Sequence, residues 1–326
     1  MEYFHSESLI KSVFYRKSLK KDKLFKEELM RYTTIKEFML SDFARASKFC
    51  FGFPGNIQQF EQWAVLAERY DVWRIRTQPL ESIYRVPKKL HQIWIGGPLP
   101  AEYDLWTRSW REHNPGWEYK LWTERDILSF GLRNEKAFCA SPSYGVKSDI
   151  ARYEILERLG GVYVDTDLEC LRPINYIVDR CSFFAGTVFG GAPQITNSII
   201  GSTPNHSFVS RLVKKTNQPV FTRDGMAILE ATGPILMTRL FFESIAEYDI
   251  SNVILPSNYF YPLPSFARLE KNIENVRSKY VTGDSYGIHY WEVSWCGPVG
   301  IRKVLSRAKR FLMKYAFIPG SRNLNL

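Results

Sequence analysis

The sequence predicts an α/β fold with a mostly parallel central sheet, a Rossmann-like nucleotide-binding half and helical segments at both ends. Three observations carry this. An apolar strand pattern over residues 90–95, a helical pattern over 101–113 and an alternating strand pattern over 117–122 succeed one another, a β-α-β order that implies a right-handed crossover. A helix followed by a glycine pair and a short apolar strand comes next, at 144–164. That strand runs straight into Asp165-Thr166-Asp167, at the strand end where open α/β sheets place their ligands.

Residues 1–85 are helical and charged in pattern, with helices expected over 9–32, 35–51 and 57–70 and a break at Pro54-Gly55. Such helices either pack on the sheet or form a bundle of their own for a membrane or a partner. Residues 86–326 form the second unit. Pro87 opens it, Gly96-Gly97-Pro98 turns the first strand, and Asn114-Pro115-Gly116 closes the first helix. In the helix from Tyr144, Val146, Ile150, Tyr153 and Ile155 or Leu156 recur at helical spacing, leaving Lys147, Asp149, Arg152 and Glu157 for another face. Gly160-Gly161 stops it, because glycine accepts the left-handed conformation that ends a helix. Val162, Tyr163 and Val164 are β-formers suited to a buried strand. Further strands are expected over 182–188, 197–200, 253–255 and 287–291, and helices over 206–215 and 234–246. A basic helix is expected over 300–317, with an apolar stripe that either covers the core or lies on an anionic membrane.

With 326 residues, 45% hydrophobic and 24% charged, the chain has material for a large core. Its five cysteines, Cys50, Cys139, Cys170, Cys181 and Cys296, are dispersed without C-x-x-C spacing, which argues for free thiols and against a zinc ribbon. No signal-peptide pattern opens the chain, and the sequence reading finds no apolar run of the ~18 residues that span a bilayer. The expectation is a cytoplasmic protein, with peripheral membrane contact or secretion as an effector left open. The net charge of +10 is concentrated late: no acidic residue follows Glu292, while Arg302, Lys303, Arg307, Lys309, Arg310, Lys314 and Arg322 do. A basic end of this kind faces nucleic acid, anionic lipid or a phosphorylated substrate.

Two neighbouring carboxylates repel unless positive charge sits beside them, and a divalent cation is the usual answer. Oxygen ligands favour magnesium, manganese or calcium, completed by water and substrate phosphates. The D-x-D spacing alone also fits a solvated acidic loop. Its surroundings are more specific. The frame S-D-x-x-R-Y, then G-G-x-Y-x-D-x-D, then R-P resembles the DXD sugar-binding region of glycosyltransferase family 32, whose signature also occurs in the large clostridial glucosylating toxins. The blocks LHQIWIGG, ITNSIIGSTPNHSF, ATGP and HYWEVSW agree in order, so the resemblance runs from Val86 to Pro298.

The resemblance implies a GT-A type fold and metal-dependent, retaining transfer of a hexose from a nucleotide diphosphate sugar, with Mn2+ or Mg2+ as the cation. Asp167 matches the direct metal ligand. Asp165 matches the residue that touches ribose and sugar hydroxyls and reaches the metal through water. Asp149 and Arg152 match groups that bind the sugar, although an ordinary intrahelical ion pair has the same spacing. Trp94 matches the residue that stacks on the nucleobase, Tyr163 a position near the donor, and Asn197 the block that approaches sugar and acceptor. Ser294 matches a metal-binding serine, and Trp295 an indole donor to the leaving phosphate. His289 sits where many family members have a histidine and the toxins an acid, with Glu292 as a rival ligand. His91 reads as a structural histidine. UDP-hexose is the expected donor and GDP-mannose the alternative; the acceptor is a saccharide, a lipid-linked saccharide or a protein, and nucleic acid is not expected.

Two other readings compete. A haloacid-dehalogenase-type phosphatase also carries D-x-D, but its motif continues with Thr or Val where Glu169 stands here. A membrane-surface or nucleic-acid-binding protein with an inactive transferase core would keep the basic end without needing the acids.

Overall fold

The computed structural model describes residues 32–47, 57–188, 192–270 and 272–292. The helix expected over 9–32, apart from Tyr32 at its end, the helix expected over 300–317, and Ser294 and Trp295 fall outside them.

In chain order the described residues form α1 (Ile35–Met39), α2 (Asp42–Arg45), α3 (Ile57–Ile75), β1 (Lys89–Ile93), α4 (Ala101–His113), β2 (Glu118–Trp122), α5 (Glu124–Phe130), α6 (Glu135–Ala140) and α7 (Tyr144–Leu159). There follow β3 (Gly161–Val164), β4 (Leu168–Cys170), α8 (Asn175–Val178), β5 (Phe183–Val188), β6 (Gln194–Ser202), α9 (Ser207–Lys215), α10 (Gly225–Ala231), α11 (Pro234–Ser244), β7 (Asn252–Leu255), α12 (Ile273–Tyr280) and β8 (Gly287–His289). Six strands make one sheet in the order β2-β1-β3-β6-β5-β7. All neighbours are parallel except β6, which runs against both β3 and β5. This is the mostly parallel sheet expected, with the β1-α4-β2 crossover at its edge.

The single reversed strand has a consequence for the site. β1 and β3 deliver Trp94 and Asp165 past their C-terminal ends, whereas β6 delivers residues from its beginning. Asp165 N–H donates to Ser198 O at 2.8 Å, so Asn197 lies at the same edge as Asp165. A second, two-stranded sheet pairs β4 with β8 and sets Leu168 opposite His289. It joins the acidic turn to a residue more than a hundred positions later.

Helix α7 departs from the amphipathic reading. Val146, Ile150, Ile155 and Leu156 are buried, but so are Asp149, Arg152, Glu154 and Glu157. The helix is enclosed on both sides, and its charges find partners rather than water. Glu154 accepts the backbone N–H groups of Arg133 and Asn134 at 2.6 and 2.7 Å, and Glu157 pairs with Arg133. The helix stops as expected at Gly160, whose φ of 61° and ψ of −163° form a combination open essentially to glycine alone.

The N-terminal helices share the apolar core of the sheet. In α3, Trp63, Leu66, Ala67, Tyr70 and Trp73 are buried, together with Phe38 and Phe43 from α1 and α2. Arg69 donates to Ile245 O, Tyr248 O and Asp249 O at 2.8–3.0 Å, closing the turn before β7. Within its described part, 35–47, the expected helix over 35–51 is two short helices instead, and residues 48–51 lie outside the described residues. Ser41 Oγ accepts Ala44 N–H at 3.0 Å and starts a new helix where the first would have continued. The three described cysteines, Cys139, Cys170 and Cys181, are free.

Among the described residues, Gly225–Glu247 reaches the length and apolarity of a membrane span, with a mean hydropathy of 1.2, although the sequence reading finds none. It is two helices interrupted at Gly233-Pro234, and Leu236, Met237, Leu240 and Phe241 are buried in the core.

His91 anchors the start of the site edge from below. Trp122 Nε1–H donates to His91 Nδ1 at 3.2 Å, which leaves Nε2–H to donate to Gly160 O at 3.0 Å. Both bonds belong to the neutral ring, and burial pushes the His91 pKa down to about 4.

Two outcomes are expected. Gly160→Ala should lower the free energy of unfolding by about 1–3 kcal/mol or more, because a Cβ there would lie 2.6 Å from Pro204 Cδ in a backbone conformation closed to alanine; urea unfolding curves that superimpose on wild type would refute this. The lowered His91 pKa means the unfolded chain binds the proton first. Stability is therefore whole above the ordinary value of 6.5 and falls by up to about 3 kcal/mol as pH drops towards 4. Urea titrations at several pH values should show a flatter profile for His91→Gln than for wild type.

Candidate active site

The acidic turn follows directly from β3. The strand ends at Val164, Asp165 to Asp167 form a tight turn, and Leu168 N–H donates back to Asp165 O at 3.2 Å. The two acid side chains converge through this turn. Two groups fix the Asp165 carboxylate: Tyr163 O–H donates to Oδ1 at 2.6 Å and Arg152 Nη1 lies 3.1 Å from the same oxygen, while His289 Nε2 stands 3.8 Å from Oδ2. Burial alone would raise its pKa; Arg152 and then His289 outweigh that and hold it below the ordinary carboxylate value. Its side chain keeps 27% exposure, so it is the open member of the pair.

Asp167 is buried. Glu292 N–H donates to its Oδ2 at 2.8 Å, and His289 Nε2 lies 3.4 Å from Oδ1. Burial pushes its pKa up to about 6, with the charge of Asp165 adding and that of His289 opposing. Asp165, Asp167 and His289 thus offer two carboxylate oxygens and an imidazole nitrogen, all within 4.8 Å of one another. Among the described residues neither ring nitrogen of His289 has a hydrogen-bond partner, although both are buried. A buried imidazole with no hydrogen bond at either nitrogen, 3.4 and 3.8 Å from two carboxylates, makes with them a donor set that fits a divalent cation. Glu292 contributes its backbone N–H to Asp167 while its side chain is exposed, which favours His289 over Glu292 as the third ligand.

Beside this triad sits a buried polar cluster. Asp149 accepts Asn197 Nδ2–H at 2.8 Å and Thr232 Oγ1–H at 2.7 Å, and Arg152 Nη2 is 3.3 Å from its Oδ1. Burial raises the Asp149 pKa, with Arg152 and Thr232 opposing. Arg152 is more than half of an intrahelical ion pair: it spans Asp149 and Asp165, donates to Asn197 O at 2.7 Å and to Ser148 Oγ at 2.9 Å, and lies 4.3 Å from the Tyr163 ring centroid. One guanidinium therefore ties α7, β3 and β6 together.

Of the residues singled out from the sequence, Asp149, Arg152, Tyr163, Asp165, Asp167, Asn197 and His289 converge. Trp94 lies one residue past β1, on the strand next to β3. It is half-buried, donates its indole N–H to Pro98 O at 3.1 Å and packs 4.9 Å from the Tyr103 ring. Sequence reasoning passed over several contributors. Thr232 and Tyr153 support Asp149 and Asn197: Tyr153 O–H donates to Thr232 O at 2.8 Å and accepts Asn197 Nδ2–H at 3.1 Å. Both lie in blocks already noticed, A-T-G-P and S-D-x-x-R-Y. Tyr261, which accepts or donates to Ser198 Oγ at 2.8 Å and bonds Thr196, lies in no block and left no signal.

Residues 100–184 match the family model described as the glycosyltransferase sugar-binding region containing a DXD motif. Inositol phosphoceramide mannosyltransferase 1 of Schizosaccharomyces pombe is 29% identical over 212 residues, which are 62% of this chain and 62% of that protein. An uncharacterized glycosyltransferase of Acanthamoeba polyphaga mimivirus is 27% identical over 69% of this chain and 89% of its own length. Mannosyl phosphorylinositol ceramide synthase SUR1 of Saccharomyces cerevisiae is 25% identical over 62% of this chain and 58% of its own. The chain thus spans about three fifths of the yeast relatives. Among solved structures, the PaToxG glycosyltransferase is similar with a TM-score of 0.39 and 15% identity over 58% of this chain and 81% of that one. The acidic turn, its buried partners and the sequence match agree, and residues 100–184 of the chain are similar to the glycosyltransferase sugar-binding region that carries the DXD motif.

Proposed function

We propose that the protein transfers a hexose from a nucleotide diphosphate sugar to an acceptor hydroxyl, with a divalent cation bound by Asp165, Asp167 and His289 and with retention at the anomeric carbon. The observation that carries the reading is the convergence of those three ligand atoms within 4.8 Å, with the nitrogens of His289 unsatisfied among the described residues. A cation bound there would supply positive charge to the departing diphosphate. The remaining tasks fall to the chain. Asp165, kept ionised by Arg152 and Tyr163, offers its open oxygen to donor hydroxyls. Asp149 and Arg152 bind the sugar from the buried cluster, in a setting where charge–dipole contacts are strong because water is excluded. Trp94 offers a ring face to the nucleobase.

UDP-hexose remains the first donor reading, on the strength of Trp94, Asp149 and Arg152. The names of the yeast relatives favour a second: a mannosyl donor such as GDP-mannose, with an inositol-phosphate-bearing sphingolipid as acceptor. The surplus of basic residues is compatible with a phosphorylated acceptor.

A panel of UDP-hexoses and GDP-mannose, assayed for Mn2+-dependent hydrolysis and for transfer, tests the reading. Hydrolysis should require the metal and fall by at least about 100-fold in Asp167→Ala; metal-independent hydrolysis, or a variant as active as wild type, would remove the metal from the mechanism. Arg152→Ala leaves Asp149 and Asp165 without their shared cation and should cost about 3–5 kcal/mol of stability. A urea midpoint equal to that of wild type would contradict the bridging role.

A further inference from the structure

A histidine that binds a metal through one ring nitrogen is ordinarily oriented by a hydrogen bond from the other, to a carboxylate or a carbonyl. His289 has no such bond among the described residues: Nδ1 is buried without a partner, and Nε2 faces Asp167 and Asp165. What touches the ring instead is aromatic. Trp291 packs against it at 4.4 Å between ring centroids with the planes at 74°, and Tyr261 packs at 5.7 Å. Trp291 and Tyr261 also lie 5.7 Å apart, so the three rings are in mutual contact.

Trp291 is held in an unusual way. Its φ is +61°, and it is one of two non-glycine residues with positive φ among those described. A bulky side chain adopts that conformation only where its surroundings enforce it. The indole N–H donates to Leu263 O at 2.7 Å, and the backbone carbonyl accepts from Arg268 Nη1 at 3.4 Å. The turn at Trp291 separates two contacts to the same acid, Tyr290 N–H to Asp167 O at 3.0 Å and Glu292 N–H to Asp167 Oδ2 at 2.8 Å. The strained turn therefore does two things at once: it lays the indole on His289, and it aims the Glu292 N–H at Asp167.

We propose that Trp291 is the positioning residue of the metal site, substituting an aromatic clamp for the hydrogen bond that would otherwise orient His289. This rests on the metal-dependent reading above. Tyr261 is the opposing wall of the clamp, fixed by its hydroxyl contacts to Ser198 and Thr196.

The test is Mn2+ binding by the full chain without nucleotide or acceptor, read by electron paramagnetic resonance of the free ion, beside circular-dichroism melting of each metal-free variant. Trp291→Phe keeps a ring over His289 and should bind Mn2+ nearly as wild type does. Trp291→Leu keeps apolar volume without the ring and should weaken binding by about 10–100-fold. Trp291→Met, a more adaptable filler, should do the same and takes its place if Trp291→Leu does not fold. A folded Leu or Met variant with wild-type Mn2+ affinity and only a lowered melting temperature would make Trp291 merely structural and overturn the proposal. Phe binding as poorly as Leu would also overturn it, since the indole hydrogen bond rather than the ring would then be decisive. Failure of the wild-type chain itself to bind Mn2+ would instead sink the metal-dependent reading, and the clamp with it.

Discussion

Three carboxylates, Asp149, Asp165 and Asp167, are gathered at one edge of the sheet in space largely closed to water, and most of the local architecture is a response to that. Burial penalises each charge, and their proximity penalises them further. Arg152 answers for two of them, standing between Asp149 and Asp165. Asp167 has only the Glu292 N–H and the weakly placed His289, and its pKa is pushed up to about 6. The charge imbalance is thus not spread evenly. It is concentrated on the side of the acidic turn that faces His289.

The same constraint explains why α7 carries charges on faces that a surface helix would turn to solvent. A buried arginine is tolerable only with several acceptors, and Arg152 has Asn197 O, Ser148 O and Oγ, two carboxylates and the Tyr163 ring. Those acceptors come from α7, β3 and β6, so the helix can sit in one place only. Supporting hydroxyls complete the arrangement: Thr232 and Tyr153 behind Asp149 and Asn197, Tyr163 against Asp165. A polar network in which each member is satisfied by another element fixes geometry more tightly than apolar packing does.

Much of this was legible in the chain itself. The β-α-β opening, the helix from Tyr144 and its glycine stop, and the acidic turn are local patterns, governed by periodicity and by the conformational freedom of glycine. Asp149, Arg152, Asp165 and Asp167 lie within nineteen consecutive positions of one frame, so a reading of the sequence could name them together. Asn197 and His289 could be named only through the resemblance, since nothing in their spacing ties them to the turn. The division of the expected 35–51 helix at Ser41 was missed because a serine inside a helical pattern looks the same whether it caps or continues.

Which residues carry charge and where the chain turns follow from side-chain chemistry and from short-range sterics, and both are written in the local pattern. Only the tertiary structure decided that Asp149 and Arg152 are buried and shared rather than an exposed pair, that the reversal of β6 brings Asn197 to the same edge, and that the β4–β8 ladder sets His289 beside Asp167. It alone revealed Tyr261 and the strained Trp291 around that histidine. These depend on strand direction and register between segments far apart in the chain, and an interaction between distant segments is set by the packing of the whole sheet rather than by any pattern along either one.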